Sequence, residues 1–179
     1  MSVRGPLWGV VAEFDGPTAL IEAAHRAREA GYRRMDAYAP FPVEGLPAAL
    51  GFPRTLLPLL VLIGALTGAA GGFFMQWYAM GVWYPLNVGG RPLNSWPMFI
   101  PITFELAVLL GGLTAVIGML ALNGLPMPYH PLFNVPRFSR VSQDGFFLAV
   151  EVRDARFDRR GTAEFLHGLG AKEVSEVAR

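Results

Sequence analysis

Two apolar stretches decide the fold of this chain: TLLPLLVLIGALTGAAGGFFMQWYA at residues 55–79 and ITFELAVLLGGLTAVIGMLALN at residues 102–123. The first stretch contains no charged residue, and the second contains only Glu105. A bilayer core of about 30 Å is crossed by roughly 20 apolar residues in a helix, so both stretches are long enough to span it. A short segment centred on Arg91 joins them. The sequence therefore predicts a transmembrane hairpin over residues 55–123.

Ordinary charged sequence lies on both sides of the hairpin, at residues 1–54 and 124–179, and is sufficient for one small soluble domain. Each side shows the pattern of a strand, a helix and a second strand. The predicted strands are residues 7–14, 32–39, 146–152 and 172–177, and the predicted helices start near Pro17 and Asp158. Two such repeats are typical of the split βαβ, or ferredoxin-like, fold. We therefore predict an α+β protein in which β-α-β, two transmembrane helices and β-α-β follow one another.

The distribution of charge predicts the orientation of the hairpin. Arg54, Arg137 and Arg140 flank the apolar region on the side of the soluble domain, whereas Arg91 alone lies in the turn. The excess of basic residues in cytoplasmic segments then places the soluble domain and both termini in the cytoplasm. Residues 1–20 lack a basic start followed by a long apolar run, so no cleaved signal peptide is expected.

Composition excludes several classes of function. The net charge is +1 without a basic stripe, so a nucleic-acid partner is not expected. The absence of cysteine excludes disulfides, thiolate-bound iron–sulfur clusters, covalent c-type haem and Cys-ligated zinc. None of His25, His130 and His167 lies in a predicted span, so the chain alone cannot ligate an intramembrane haem. We expect no catalytic residue, metal site or bound cofactor in this chain.

Glu105 is the one carboxylate at membrane depth. Intramembrane carboxylates often belong to proton relays. Counted from Pro101, however, Glu105 lies in the first turn of the second span, where the helix dipole favours a negative charge and a headgroup or a neighbouring subunit's donor is within reach. We interpret Glu105 first as an interface or structural carboxylate and second as a proton relay.

Small residues recur at four-residue spacing on both spans, at Gly64, Gly68 and Gly72 and at Ala107, Gly111 and Ala115. Such faces allow helix backbones to approach closely. The alternative is that glycine is simply frequent in membrane helices. The repeated spacing favours packing of the hairpin onto itself or onto a larger membrane partner.

Aromatic residues gather around the turn of the hairpin, at Trp77, Tyr78, Trp83, Tyr84 and Trp96. This placement is typical of the aromatic belt at a membrane–water interface, here the outer one. Stacking of a quinone ring on these side chains is the less common alternative.

Three longer runs carry a family resemblance: YPLNVGGRPLNSWPMFIPITFE at 84–105, GFPRTLLPLL at 51–60 and LPMPYHPLFNVPRFSRVSQDGFFLAVE at 125–151. In matching order and over essentially the whole chain, they resemble the ActD-type membrane subunits of bacterial alternative complex III. That complex is the quinol:cytochrome c, or equivalent acceptor, oxidoreductase that is unrelated to the cytochrome bc complex.

The resemblance implies a non-catalytic, membrane-anchoring scaffold subunit of a respiratory or photosynthetic electron-transport complex in the bacterial inner membrane. The implied partners are polytopic quinol-site membrane subunits, lipids, and subunits on the opposite side that carry haem c and iron–sulfur clusters. It supplies no catalytic residue for this chain. The residues themselves leave two alternatives, a ligand-sensing ferredoxin-like domain on a membrane hairpin and a small homo-oligomeric transporter.

Overall fold

The computed structural model describes residues 6–53 and 55–179 and divides the chain into two compact units. The first, the soluble unit, combines residues 6–53 with residues 128–179, and the second, the hairpin unit, contains residues 55–127. Arg54, which the sequence places beside the membrane, lies outside the described residues.

A four-stranded antiparallel sheet forms the centre of the soluble unit. Its strands are β1 (Leu7–Phe14), β2 (Met35–Tyr38), β3 (Phe146–Glu151) and β4 (Glu173–Ala178). They lie in the order β2-β3-β1-β4, so β1 pairs on both edges with strands that follow the hairpin in sequence. The predicted mixture of helices and a sheet shared by both sides of the hairpin is confirmed.

Two helices cover one face of this sheet, α1 (Pro17–Glu29) and α5 (Arg159–Gly168). A proline in the first turn starts α1, and Gly31 follows its end at a positive φ of 98° that suits glycine. At the start of α5, the Asp158 carboxylate accepts a hydrogen bond of 2.6 Å from the Gly161 N–H. The core of this face is built from alternate strand residues and the inner sides of the helices, including Val10, Ala12, Leu20, Leu148 and Leu166.

The opposite face of the sheet is covered by residues 128–145, which we call the strap. Two 3₁₀ helices, Pro131–Asn134 and Pro136–Ser142, give the strap its shape, and each begins at a proline. Leu132, Val135 and Phe138 of the strap pack on Val11, Phe147, Ala149 and Val177. Neither these turns nor the short helix α2 (Leu46–Leu50) is foreseen in the proline-rich sequence.

The hairpin unit consists of two long helices. The first, α3 (Leu57–Tyr78), continues as a π-helical turn, Ala79–Trp83. The second, α4 (Trp96–Leu122), starts before the predicted Ile102 and contains Pro101 in its interior. Glu105 therefore lies about 13–14 Å from the start of α4, in its third turn and not in its first.

Both helices are long and apolar enough to cross a membrane, over Leu57–Trp83 and Trp96–Leu122. Only 11% and 6% of their most apolar windows are buried, so they differ from the core helices of a soluble fold. They are candidate membrane spans.

Candidate functional site

The two hairpin helices approach each other most closely along the glycines of α3. An ideal Cβ at Gly64 would lie 2.3 Å from the Thr114 Oγ1, and one at Gly68 would lie 2.2 Å from the Leu106 carbonyl oxygen. At Gly72 the nearest atom would be the Leu106 Cδ1, at 3.0 Å. A side chain at Gly64 or Gly68 would therefore force the helices apart.

The small residues of α4 take part in the same approach. A Cβ at Gly111 would lie 3.3 Å from the Ala65 Cβ, and the Ala107 Cα lies 3.0 Å from the Cβ position at Gly68. Ala115 is half-buried on α4. On the rest of α3, Gly71 has open space where a Cβ would be, so its surface is directed away from α4.

A polar contact joins the helices near the turn. The Gln76 side-chain amide donates hydrogen bonds to the carbonyl oxygens of Gly72, at 3.0 Å, and of Phe99, at 3.1 Å. Phe99 is buried, and its ring lies edge-on to Phe73 with centroids 5.7 Å apart. Among the described residues, the Thr103 hydroxyl is a buried polar atom without a hydrogen-bond partner.

Glu105 is exposed on the surface of α4. Within residues 6–53 and 55–179, its carboxylate has neither a hydrogen bond nor an ion pair. Among the atoms nearest to the Cβ positions of Gly64, Gly68 and Gly72, none belongs to Glu105, so the exposed carboxylate is separate from the glycine-lined contact.

The aromatic side chains near the turn form an exposed cluster of neighbouring rings. Phe74 lies 5.9 Å from Tyr78 in a stacked arrangement and 5.8 Å from Trp77, and Tyr78 lies 6.2 Å from Trp83. Trp83 is 75% exposed, and Tyr84 and Trp96 are also exposed. The five aromatics of the predicted belt thus present their rings to the surroundings of the hairpin unit.

A buried carboxylate lies on the strap side of the sheet, at Glu13 of β1, which is only 4% exposed. The Arg137 guanidinium contacts it at 2.7 Å and contacts Glu173 at 3.2 Å, and Arg140 approaches Glu13 at 3.8 Å. Arg140 also forms an ion pair with Asp144. From the sequence, Arg137 and Arg140 are recognisable only as charges beside the membrane, and these partners are not apparent.

Asp154 forms a second buried acidic centre, after β3. Its carboxylate accepts hydrogen bonds from the backbone N–H groups of Arg33 and Arg34, both at 2.6 Å, and of Arg156, at 2.8 Å. Burial by itself would raise the pKa of Asp154, but the donated hydrogen bonds outweigh it and hold the pKa below its usual value. Asp154 thereby ties the loop after β3 to the segment before β2.

His130 lies in an aromatic cluster. Its ring is 5.2 Å from Trp8 and 6.2 Å from Tyr38, which in turn lies edge-on to Phe138. Burial, followed by the charge of Asp36, raises the pKa of Tyr38 well above its usual value, so its phenol stays neutral.

The other two histidines lie on the soluble helices. His25 faces Glu29 on the surface of α1, and His167 lies in the last turn of α5. No group of three or more His, Asp or Glu side chains that could hold a metal occurs in the part of the chain that the structure describes.

A protein-family model described as "Alternative complex III, ActD subunit" matches residues 8–176, nearly the whole chain. No curated protein matches the chain.

Proposed function

The chain belongs to the ActD subunit family of alternative complex III, and we propose that it is a non-catalytic accessory subunit that anchors and stabilises the polytopic quinol-site subunits. Membership of the family places the chain in a multi-subunit, membrane-associated electron-transport complex. The anchoring role rests on the candidate spans and on one further observation in the hairpin.

The observation that carries the proposal is that Glu105 has no partner among residues 6–53 and 55–179. Helix α4 is about 40 Å long, so a centred hydrocarbon layer of about 30 Å would begin some 5 Å inside each end. Glu105 would then lie about 8 Å inside the edge of the hydrocarbon layer. This is deeper than it would lie if the helix began at Pro101, as the sequence predicts. A charge at that depth is costly unless it is paired. We assign its partner to a hydrogen-bond donor of a neighbouring subunit.

The packing of the hairpin supports the same assignment. Gly64, Gly68 and Gly72 face α4, so the small-residue faces serve the contact within the hairpin. The exposed apolar sides of both helices and the belt aromatics are then left for lipids and for helices of other subunits.

The soluble unit belongs to the same proposal. We assign it the ferredoxin-like split βαβ topology. In this topology the first and third strands lie side by side at the centre of the sheet, and the order β2-β3-β1-β4 has this arrangement. Its position in the cytoplasm, with both termini, is supported by Arg137 and Arg140 in the strap against the single Arg91 in the turn. The chain has no cysteine, so we assign haem c and iron–sulfur clusters to partner subunits.

Replacement of Glu105 in the intact complex tests the proposal. Glu105→Ala removes the acceptor and is expected to lower the co-purifying quinol-site subunits several-fold. Glu105→Gln keeps an acceptor oxygen and should retain them. Val116→Ala, an exposed truncation about three turns further along the same face of α4, is the matched control: it removes no hydrogen-bond acceptor and should lower co-purification far less than Glu105→Ala. Full retention of the subunits by Glu105→Ala would contradict the interface role.

The Gln variant also separates the interface role from a proton relay. If Glu105 carries protons, Glu105→Gln lowers the rate of quinol oxidation and changes its pH dependence while the complex stays assembled. If Glu105 is an interface acceptor, both properties stay as in the wild type.

A further inference from the structure

The turn of the hairpin forms an open cavity of about 190 Å³. Its lining is apolar and aromatic except for Arg91, and it consists of Met80, Tyr84, Leu86, Val88, Arg91, Pro92 and Leu93. The π-helical turn after α3 and the loop before α4 supply these residues. A single cation in an otherwise apolar cavity indicates a ligand with an anionic group and a hydrocarbon part.

The guanidinium of Arg91 is held in place by its neighbours. Its Nε donates a hydrogen bond of 2.9 Å to the Ser95 Oγ, and Ser95 in turn donates to the Pro92 carbonyl oxygen at 2.5 Å. Ser95 is only 8% exposed, so this anchor is part of the packed structure. The Arg91 Nη2 lies 4.0 Å from the Met80 Sδ, a weak acceptor.

The backbone of the turn is built for this arrangement. Gly89 and Gly90 have positive φ values of 59° and 76°, and the Gly90 N–H donates to the Asn87 Oδ1 at 3.1 Å. The Arg91 N–H closes the turn on the Val88 carbonyl oxygen at 3.2 Å. This tight turn brings Val88 and Arg91 to the same cavity.

Arg91 has no counter-charge within the described residues. Glu105, in the third turn of α4, is the one acid between residues 55 and 127, and no ion pair of the described chain includes Arg91. A guanidinium presents its N–H groups in a fixed fork that matches the oxygens of a phosphate. The aromatic residues around the turn are of the kind that lies at the headgroup level of a bilayer.

We propose that this cavity binds an anionic phospholipid, with the Arg91 guanidinium on the headgroup phosphate and the apolar lining against the glycerol and the first part of the acyl chains. The apolar lining favours a lipid over free phosphate, because inorganic phosphate would leave Leu86, Val88 and Leu93 uncovered. The inference rests on the membrane hairpin of the proposed function.

Lipid binding to the purified full-length chain tests the inference. The detergent-washed chain is mixed with phosphatidylglycerol or with phosphatidylcholine of the same acyl composition, and bound lipid is counted by native mass spectrometry. The wild-type chain should retain phosphatidylglycerol in preference. Arg91→Gln should lower that retention about fivefold, the factor expected for one basic residue at an anionic surface.

Three further variants define the site. Arg91→Lys keeps the charge without the forked donors and should retain an intermediate amount of lipid. Ser95→Ala removes the anchor but leaves the charge, and should weaken retention by about two- to threefold even if Arg91 variants fold poorly. Asn94→Ala changes an exposed neighbour outside the cavity and should behave as the wild type.

The outcomes separate the possible ligands. Equal retention of phosphatidylglycerol by the wild type and Arg91→Gln overturns the inference, and so does displacement of the lipid by millimolar inorganic phosphate. If Arg91→Gln leaves the lipid on the isolated chain unchanged but lowers the co-purification of partner subunits from the intact complex, the inference is overturned and the arginine is assigned to a protein carboxylate. Because lipid is counted on the isolated chain, failure of the site is distinguishable from failure of the chain to join a complex or a membrane.

Discussion

The Arg137 Nη2 lies 2.7 Å from the Oε2 of Glu13, although 124 residues separate the two in sequence. This ion pair joins the strap to β1, one of the two central strands of the sheet. In sequence, β1 precedes the hairpin and the strap follows it. The carboxylate is buried and the guanidinium is half-exposed, so the pair belongs to the packed surface between strap and sheet. It is a polar link that closes the soluble unit after the chain has passed through both hairpin helices.

Loss of this link should destabilise the soluble unit. Arg137→Ala would leave Glu13 buried with only Arg140 nearby, at 3.8 Å. Removing one partner of a fully buried pair lowers the free energy of unfolding by about 3–5 kcal/mol. Because Arg137 is half-exposed, we expect a smaller loss, of about 2 kcal/mol. Thermal unfolding in detergent measures the change. Arg160→Ala, which removes an exposed arginine without an ion pair among the described residues, should leave the melting temperature nearly unchanged.

A double variant checks the physical reason. In Glu13→Gln combined with Arg137→Ala, no charge is left buried without its partner, so part of the lost stability should return. Equal stability of the single and double variants would contradict a buried-charge penalty.

The hydrogen bonds to Asp154 make the stability of the soluble unit depend on pH. The pKa of Asp154 is lowered in the folded chain from an unfolded value of about 3.9. The stabilisation is therefore fully present above that unfolded value and is lost as the pH falls through the folded pKa. Free energies of unfolding measured between pH 7 and pH 3 should show this loss in the wild type.

Asp154→Ala should be less stable at pH 7 by about 2 kcal/mol, because three backbone N–H groups lose their acceptor. The difference from the wild type should shrink as the pH falls below about 4. Glu44→Gln, at an exposed position, serves as the control. If the stability difference between Asp154→Ala and the wild type stays constant over the whole pH range, the charge of Asp154 does not contribute to stability and this account is contradicted.

Two glycines on α3 offer a matched pair of substitutions for the helix contact. A Cβ at Gly68 would lie 2.2 Å from the Leu106 carbonyl oxygen, whereas a Cβ at Gly71 would meet nothing within 4 Å. Gly68→Ala should therefore separate the helices at a cost of about 1–3 kcal/mol, and Gly71→Ala should not.

Disulfide formation can report this separation, because the chain has no cysteine of its own. The Ala65 Cβ lies 3.3 Å from the position that a Cβ would take at Gly111, slightly less than the roughly 3.5–4.5 Å of a disulfide, so a small outward shift would suit the bond. The pair Ala65→Cys and Gly111→Cys should cross-link efficiently alone and with Gly71→Ala, and poorly with Gly68→Ala. Equal yields in all three would contradict the glycine-lined contact.

Local sequence patterns give most elements of the soluble unit. Short apolar runs rich in β-branched and aromatic residues mark β1 and β3, and Gly31 and Asp158 mark a helix end and a helix start. Local patterns fail at the start of α4. Proline is typical of the first turn of a helix, so Pro101 predicts a helix that starts there. A membrane helix also tolerates proline in its interior when other groups satisfy the freed backbone carbonyl, and α4 in fact starts at Trp96.

The polar contacts are not predictable in the same way. Glu13 is visible in the sequence as an acid inside an apolar strand, but nothing local indicates which distant arginine neutralises it. Arg137 and Arg140 follow a candidate membrane span, and basic residues beside a span commonly indicate its orientation. Only the packing of the strap on the sheet reveals their second role as partners of Glu13 and Asp144.

Purification of the chain through a C-terminal tag in mild detergent, with a visible spectrum and mass spectrometry of the product, tests the central claim most directly. We expect haem absorption together with several co-purifying polytopic subunits, because the chain belongs to a subunit family of alternative complex III. A colourless chain, alone or as a homo-oligomer, would contradict the account and would favour a ligand sensor or a small transporter.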